Sequence, residues 1–392
     1  MTSMSMDKIV IYEPNHGGHR LKFACLLLEA YVKNCKVVIA TTIEALRSVE
    51  FKELLAKHEG LFELHVVPSR DVFGNSLKGR FADAMYLKKY LSALSDVDLV
   101  FIPYLDAVFF PFGMGGIFRF FHAKRSPEIR GILLRGDYAY PKATTSLRAA
   151  LKKTLSVWII KYGPFSRVFC LDELLYAHLM TDLKKSGARF SYCPDPVESI
   201  ACAAGSDDFR SRHGIPPVTR VLGAFGSMDE RKGIDLLLKG FMAYDPGEDE
   251  MLLLVGKQSE TVRSMLESLK KTDKRAANIV SIDSFVSDVE MLCAIKSCDA
   301  VATLYPGHIG SASIVIRAAA MKKPVIGTNF GWIGYVVQKY GLGYSFDVQN
   351  ESALVDGIDW CFTKARMDLN KAEDFVSQHT VAGFSNAILS QC

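Results

Sequence analysis

The 392-residue sequence has no apolar run long enough to cross a membrane. A spanning helix needs about 20 mostly apolar residues, and the best candidate, LDAVFFPFGMGGIFRFF, is interrupted by Pro111 and several glycines. The start, MTSMSMDKIVIYE, also lacks the basic region and apolar core of a signal peptide. We therefore expect a cytoplasmic protein, attached at most to the inner surface of a membrane.

Cysteine pairs with the spacing of a metal site are missing too. Nine cysteines are present without any Cys-x-x-Cys, and several lie in apolar segments, which favours reduced, buried thiols over disulfides or zinc ligands. Asp96 and Asp98 in SDVDL have the spacing of a metal motif, but they directly precede a strand-like segment. That position is more typical of a capping turn.

The dinucleotide fingerprint G-x-G-x-x-G is absent after the first strand. Its place is taken by EPNHGGHRLKF, which puts His16, Gly17, Gly18, His19 and Arg20 between a strand and a helix. Paired glycines let the backbone approach a ligand closely, so this loop is a candidate for binding phosphate or acceptor groups. The alternative is a tight turn that caps the helix.

Short apolar, β-branched runs alternate with amphipathic segments along the whole chain. In the first half, strand candidates occur at 8–13, 36–42, 61–68, 97–104, 129–136 and 167–171, with helical periodicity at 21–34, 43–56, 80–95, 146–161 and 173–185. The second half has strand candidates at 219–225, 250–256, 278–283, 299–305 and 324–328. Such alternation predicts α/β units with parallel sheets covered on both faces.

The pattern breaks between 194 and 218, where Pro, Gly, Ser and Asp collect. We read this stretch as the connection between two Rossmann-like domains that face a central cleft. The predicted domains are 1–200, which would bind the acceptor, and 201–375, which would bind the donor. A C-terminal helix at 376–392 could pack back on the first domain. Ligands of such open sheets bind beyond the carboxyl ends of the strands.

Charge is unevenly divided between the two halves. Residues 1–200 carry 27 Lys and Arg against 20 Asp and Glu, whereas residues 201–392 carry 20 against 23. The basic and aromatic segment SLRAALKKTLSVWIIKYG, at 146–163, lies in the first half. As a helix it would show Leu147, Leu151, Leu155 and Trp158 on one side. This side suits either an anionic membrane surface or, as we favour, the protein core. Nucleic-acid binding would need a stronger basic excess.

Four segments of the second half carry the strongest functional signal. In order they read GAFGSMDERKGIDLLLKGF, LLLVGKQSE, NIVSIDSFVSDVEMLCAIKSCDAVATLYPG and YPGHIGSASIVIRAAAMKKPVIG. The first places Lys232 where a glycine turn meets a helix N-terminus, a position that suits an anion. This order of segments resembles the nucleotide-sugar-binding domain of GT-B glycosyltransferases of the family four type. The resemblance covers about residues 219–350, and the first half is similar only in architecture.

The resemblance implies that Lys232 holds the donor diphosphate. The family's phosphate-binding arginine falls on Ser227, and its paired glutamates fall on Ile309 and Arg317, so both carboxylates are missing. We predict that Arg317 instead contacts the diphosphate or an acidic donor group, the alternative being an ion pair to a neighbouring helix. Candidate donor-binding residues are Gly226, Ser227, Arg231, Lys232, Gly256, Lys257, His308, Gly310, Ser311, Ala312, Ser313 and Arg317.

Candidate catalytic residues in the first half lie in ILLRGDYAYPK, where Arg135 and Asp137 follow a strand. In similar glycosyltransferases a catalytic base comes from such a loop, so Asp137 is the first choice, with Asp106 as an alternative. Asp137 could instead form a salt bridge to Arg135. Lys232 completes the catalytic set by stabilising the leaving diphosphate.

Together these features predict a glycosyltransferase of the hexosyltransferase type, without a cofactor or a metal for its chemistry. It would move a sugar from a nucleotide-diphosphate sugar to a glycan or lipid-linked acceptor in surface polysaccharide or glycoconjugate synthesis. Retention of anomeric configuration follows from the family resemblance. The alternatives are a catalytically inactive GT-B-like binding subunit, motivated by the missing glutamates, and a sugar-nucleotide epimerase of the same architecture.

Overall fold

The computed structural model describes residues 6–17, 20–68, 77–117, 127–134, 136, 147–183, 189–197 and 208–390. The chain divides into two compact units, Met1–Pro194 with Phe384–Cys392 and Asp195–Gly383. The second unit therefore begins at Asp195 rather than at 201, and the segment 376–392 is divided between the units at Phe384. Phe384 is buried beside Phe23 in the first unit, with ring centroids 6.0 Å apart.

The first unit contains a parallel sheet of seven strands in the order β3-β2-β1-β4-β5-β6-β7. The apolar runs of β1, β2 and β4 are buried on both faces, as a sheet covered by helices requires, whereas the edge strand β3 is mostly exposed. The strand order reverses direction between β1 and β4. The strands are β1 Lys8–Tyr12, β2 Lys36–Thr41, β3 Glu63–Val66, β4 Leu99–Ile102, β5 Glu128–Leu133, β6 Arg167–Cys170 and β7 Phe190–Tyr192.

The helices of the first unit follow the predicted pattern with two differences. Ser48 accepts a hydrogen bond from Phe51 N and begins a new helix, so the predicted helix 43–56 is two short ones. A helix missed from the sequence contains Pro111, which is tolerated there because first-turn N–H groups have no intrahelical partner. The helices are α1 Arg20–Tyr31, α2 Ile43–Arg47, α3 Val49–Leu54, α4 Leu77–Ser92, α5 Phe109–Ile117, α6 Leu147–Tyr162 and α7 Glu173–Leu183.

The second unit contains a parallel sheet of six strands in the order β10-β9-β8-β11-β12-β13. Its strands are β8 Arg220–Phe225, β9 Glu250–Val255, β10 Ile279–Ile282, β11 Ala300–Thr303, β12 Val325–Thr328 and β13 Gly343–Phe346. The helices are α8 Asp208–Arg212, α9 Ile234–Tyr244, α10 Glu260–Thr272, α11 Asp288–Lys296, α12 Ser313–Ala320, α13 Gly331–Lys339, α14 Glu351–Thr363 and α15 Leu369–Gln378. The last helix, α16 Val381–Leu389, runs from the second unit into the first.

Helices cover both faces of the first sheet. Val10 and Tyr12 of β1 lie in one core with residues from α4, α5, α6 and α7. The intervening residues, Ile9 and Ile11, are buried outside that core, on the face that the alternation of the strand turns the other way. Helices α4, α5, α6 and α7 therefore form one layer, in which each packs against the next.

The orientation of α6 corrects the favoured sequence interpretation, that its leucine stripe faces the core. Leu147 is 92% exposed and Leu151 is 70% exposed, while Ser156, Ile159 and Ile160 are the buried residues. The core is closed by the two isoleucines because α5 presents Gly113 directly against Ile159. Leu147 and Leu151 are left on the outer surface, while Leu155 is half-buried and packs against the edge of the core.

The Asp98 side chain binds backbone N–H groups at the amino end of β1. Its Oδ2 accepts hydrogen bonds from the backbone N–H groups of Asp7, at 2.8 Å, and Lys8, at 3.1 Å. The Asp96-x-Asp98 spacing thus serves the beginning of β1, as the capping interpretation predicts. None of the helices in the described part of the chain is long and apolar enough to cross a membrane.

Candidate functional site

The candidate site of the second unit lies where its strand order reverses. Strands β8 and β11 are neighbours in the sheet. The chain continues from β8 to β9 on one side of this pair and from β11 to β12 on the other. The loops at their carboxyl ends, 226–233 and 304–312, therefore border the position where open α/β sheets bind ligands. Tyr305 N donates to the carbonyl of Lys232 at 3.2 Å, which ties the two loops together.

Lys232 stands at the centre of this edge. It ends a short 3-10 helix, Glu230–Lys232, which is capped by the Asp229 side chain. Its Nζ donates to the carbonyl of Phe225, the last residue of β8, at 2.9 Å and lies 5.4 Å from the ring centroid of Tyr305. Gly226, at φ 91°, leaves the space for the ammonium group, because a Cβ there would collide with Nζ.

The environment of Lys232 changes its acidity. Burial lowers the pKa of the Lys232 ammonium from 10.5 to about 8, with Arg231 adding to the effect and Asp229 opposing it. Within the described part of the chain, Nζ donates to one acceptor, the neutral Phe225 carbonyl. A bound anion would stabilise this ammonium group, because a nearby negative charge favours the charged form of lysine and raises its pKa.

The loop after β9 packs against the loop after β8. Gly256, at φ 141°, lies so close to the Gly226 carbonyl that a Cβ would overlap it. Asp283, at the end of β10, accepts from Gln258 N at 2.9 Å and pairs with Lys257 at 3.5 Å. Lys257 is mostly exposed, so its ammonium group stays accessible at the rim of the site.

The loop after β11 is held by polar contacts on both sides. The His308 ring lies edge-on to Tyr305, and its Nε2 is 3.4 Å from the Ser311 carbonyl. Ser311 donates to Asp195 Oδ2 at 2.7 Å, and Gly310 has a φ of 97°. Helix α12 then begins after Ala312, which provides no side-chain cap. Its first N–H groups are thus free of a capping oxygen and favour an anion.

Two residues at this edge were missed from the sequence. Phe285, in the loop after β10, is 93% exposed, an unusual position for a phenylalanine and one that offers an aromatic face to a ligand. Asp195, which anchors Ser311, lies in the connection that sequence analysis read as a spacer. The exposure of Phe285 leaves no periodic pattern in the sequence. The contact of Asp195 with Ser311 joins residues more than a hundred positions apart, so the sequence could not indicate it either.

Arg317 forms the ion pair that sequence analysis had named as its alternative. Its Nη2 lies 2.9 Å from Asp288 Oδ1, in the first turn of α11, and its side chain is only 13% exposed. Its Nε is buried and has no hydrogen-bond partner among the described residues. The pair joins α12 to the start of α11, directly after the Phe285 loop. Contact of Arg317 with a donor stays a prediction.

The other predicted donor residues take varied positions. Ser227 and Ser313 are exposed, and Ile309 is half-buried, so the family's first glutamate position offers no polar group here. Arg231 is exposed and pairs with Asp229 at 2.6 Å. The structure thus brings Gly226, Lys232 and Gly256 together and leaves Arg231 at the surface.

The first unit has a matching edge after β1 and β4, where its strand order also reverses. Glu13 is buried and pairs with Arg20 at 3.4 Å, and the Arg20 guanidinium lies 3.8 Å over the Tyr104 ring centroid. His16 is half-buried beside them, and Gly17 is exposed. Asp106 accepts from Leu134 N at 2.8 Å and so fixes the end of β5. Gly18, His19, Arg135 and Asp137 lie outside the described residues.

One group of potential metal ligands occurs in the described part of the chain, formed by Cys25, Glu29 and His58. Cys25 Sγ donates to the Leu54 carbonyl at 3.3 Å, and Glu29 lies 3.2 Å from His58 Nε2. These groups already interact with protein partners, and they lie on α1 and the short 3-10 helix Ala56–His58. The group therefore has a structural explanation.

Comparison with a family model decides the nature of the second unit. Residues 219–364 match the model described as "Glycosyl transferases group 1". The second unit is therefore similar over most of its length to the glycosyltransferase group 1 domain. The matched segment includes Lys232, both site loops and Arg317. No curated protein sequence matches the chain significantly.

Solved structures of similar fold extend over the whole chain. HepE from Anabaena, in complex with UDP, matches 98% of this chain and 99% of its own at a TM-score of 0.69 and 15% identity. Sucrose-phosphate synthase from Thermosynechococcus elongatus matches 98% of each chain at 0.70 and 16% identity. WaaG, a glycosyltransferase involved in lipopolysaccharide biosynthesis, matches 98% of each at 0.65 and 15% identity. The fold is therefore that of the GT-B glycosyltransferases, as the sequence predicted.

The Arg317–Asp288 pair is tested by a double-mutant cycle. Arg317→Ala and Asp288→Asn are each expected to lower the free energy of unfolding by about 1–2 kcal/mol, with a non-additive double variant, because each removes the same half-buried contact. The exposed pair Lys322–Glu373 is the matched control, and Lys322→Ala should cost less than about 0.5 kcal/mol. Urea unfolding measures all variants, and additive losses would contradict the pairing.

The UDP affinity of the same variants decides the predicted donor contact. If Arg317→Ala weakens UDP binding and Asp288→Asn does not, Arg317 touches the donor as the sequence suggested. Equal affinities of the two variants would leave the ion pair as the whole role of Arg317.

Proposed function

We propose that the chain transfers a hexose from a nucleotide-diphosphate sugar to a glycan or lipid-linked acceptor, in surface polysaccharide or glycoconjugate synthesis. The observation that carries this proposal is Lys232, a half-buried cation with a neutral hydrogen-bond acceptor, between the loops that follow β8 and β11. A UDP-sugar is the proposed donor. HepE, which shares the fold, was crystallised with UDP and with UDP-glucose, and this supports the choice.

Transfer breaks the bond between the anomeric carbon and the donor diphosphate. Negative charge develops on the leaving diphosphate, and a fixed cation with backbone N–H groups aimed at it lowers the barrier without reorganisation. Lys232 and the uncapped start of α12 would supply this field. The exposed ring of Phe285 would stack on the nucleobase.

The acceptor hydroxyl must lose its proton as the new glycosidic bond forms. Asp137 in the first unit is the proposed general base, with Asp106, which follows β4 and accepts from Leu134 N, as the alternative. The loop His16–Arg20 would bind acceptor or phosphate groups. We propose retention of the anomeric configuration and chemistry without a metal or cofactor.

The charge on Lys232 predicts how donor binding depends on pH. The bound diphosphate needs the ammonium form, so UDP affinity should be highest below the Lys232 pKa of about 8. Above that pH it should fall by up to about tenfold per pH unit, as expected for uptake of one proton. Lys232→Ala should lower UDP affinity at least tenfold at pH 7 and remove this pH dependence.

Isothermal titration calorimetry with UDP between pH 6.5 and 9.5 measures these effects. Lys239→Ala is the matched control, because Lys239 is an exposed lysine on α9 in the same unit. Its affinity should stay within about twofold of the unchanged chain. If the Lys232→Ala variant bound UDP as tightly as the unchanged chain, the assignment of Lys232 to the diphosphate would be refuted.

A second candidate function, a binding subunit without turnover, is favoured by one observation. Neither position of the family's glutamate pair carries a carboxylate, since Ile309 is apolar and Arg317 is paired with Asp288. This candidate and the transferase both bind a donor, so binding alone does not separate them.

Turnover separates the two functions. The full chain is incubated with UDP-hexoses and candidate acceptors, and UDP release and products are followed by mass spectrometry. We expect UDP release that depends on acceptor and is lost in Lys232→Ala. Donor binding with no release would favour the binding subunit, whereas conversion of the donor sugar without acceptor would indicate an epimerase.

A further inference from the structure

The outer surface of α6 is apolar over its full length. Leu147, Leu151, Leu155, Trp158 and Tyr162 follow the spacing i, i+4, i+8, i+11 and i+15, which places them within an arc of about 80°. Leu147 and Leu151 are mostly exposed, and Tyr162 is also exposed. Single exposed apolar residues are ordinary, but a continuous stripe on one helix marks an interaction surface.

Helix α4 has the same character. Phe81 is 53% exposed and Met85 is 73% exposed, and they share one face of the helix with Lys78, Lys88 and Lys89. Helix α5 lies between α4 and α6, packs against both, and adds the exposed Met114. The three helices form one layer on a single face of the first sheet, so their outer sides present one surface, here called the α4–α6 face.

The charge of the α4–α6 face has one sign. Its two longer helices contain eight Lys and Arg residues and a single acidic residue, Asp83, which is buried. This excess of seven positive charges equals the whole net charge of residues 1–200. Lys153 of α6 is paired with Asp182 at 2.8 Å, whereas Lys78, Lys88 and Lys89 of α4 are exposed beside the apolar side chains of the face.

We infer that the α4–α6 face is a docking surface for an anionic lipid bilayer. Apolar side chains would enter the boundary between headgroups and acyl chains, while the lysines around them would attract anionic headgroups. Trp158 and Tyr162, whose ring centroids are 6.3 Å apart, end the stripe with the amphipathic rings that membrane interfaces favour.

A bilayer fits this face better than a protein partner. Protein interface cores are depleted of lysine, and a partner would need carboxylates matched to scattered, flexible lysines. A lipid surface imposes no such register, because its headgroups move to the charges. The inference does not depend on donor chemistry, so its failure would leave the proposed transferase activity standing.

Sedimentation of the full chain with lipid vesicles tests the inference. At about 0.05 M salt the chain should bind vesicles containing phosphatidylglycerol and phosphatidylcholine, release on raising the salt, and bind phosphatidylcholine alone weakly. Leu147→Ser with Leu151→Ser should weaken binding about tenfold or more. Lys78→Gln, Lys88→Gln and Lys89→Gln together should weaken it roughly as much and reduce its salt dependence.

The matched control lies on α3, which is not part of the helix layer of the α4–α6 face. Val49 is 65% exposed and Lys52 is exposed, so Val49→Ser with Lys52→Gln removes similar groups elsewhere on the same unit. This control should bind vesicles like the unchanged chain, and circular dichroism confirms that every variant is folded. The inference fails if anionic vesicles are not bound at low salt, or if the leucine and lysine variants bind like the control. It also fails if the leucine variant instead abolishes self-association, which would make this face an interface between copies.

Discussion

The candidate donor site depends on one hydrogen bond, from the Lys232 ammonium to the carbonyl that ends β8. That bond places a cation at the carboxyl end of the central strand β8. Gly226 has no side chain and so leaves room for the ammonium group. A larger residue at 226 would displace the lysine, and one at 256 would displace Gly226 itself. Two glycines and one lysine, spread over 31 positions of the sequence, thus form a single packing unit.

Other contacts of the second unit keep this cation in a defined setting. The carbonyl of Lys232 accepts from Tyr305, so movement of the loop after β8 is coupled to the loop after β11. Ser311 extends the connection to Asp195, whose own carbonyl lies 2.9 Å from Nδ1 of the buried His379. The loop after β11 is therefore held by Asp195, at the start of the second unit, and by His379, directly after α15. Preorganisation of this kind is what electrostatic stabilisation of a leaving group requires.

The fold was predictable because parallel strands buried on both faces give continuous apolar runs. Two short strands, β7 and β13, were missed, since three or four residues such as Phe190–Tyr192 carry no alternation that separates them from loops. The family resemblance placed Lys232, Gly226 and Gly256 at one site, and their contact with a donor stays a prediction. An ion pair of Arg317 was named as the alternative, but its partner Asp288 and the anchoring of Ser311 by Asp195 were not, because such contacts depend on the approach of separate elements.

The most instructive error concerns α6. Its leucines have the period of a buried stripe, and periodicity alone does not say which side of a helix meets the sheet. The structure turns Ile159 and Ile160 inward and leaves Leu147 and Leu151 exposed, with Leu155 packed against the edge of the core. Apolar side chains that the sequence pattern assigned to the core, such as Leu147 and Leu151, are thus available to a partner. Lysines lie on the same surface.

The central claim is that Lys232 holds the donor diphosphate at the carboxyl end of β8. A crystal structure of the chain with UDP tests it most directly. The account predicts a phosphate oxygen within hydrogen-bond distance of Lys232 Nζ, about 2.7–2.9 Å, and near the first N–H groups of α12. UDP bound away from Lys232, with Nζ still donating only to the Phe225 carbonyl, would contradict it.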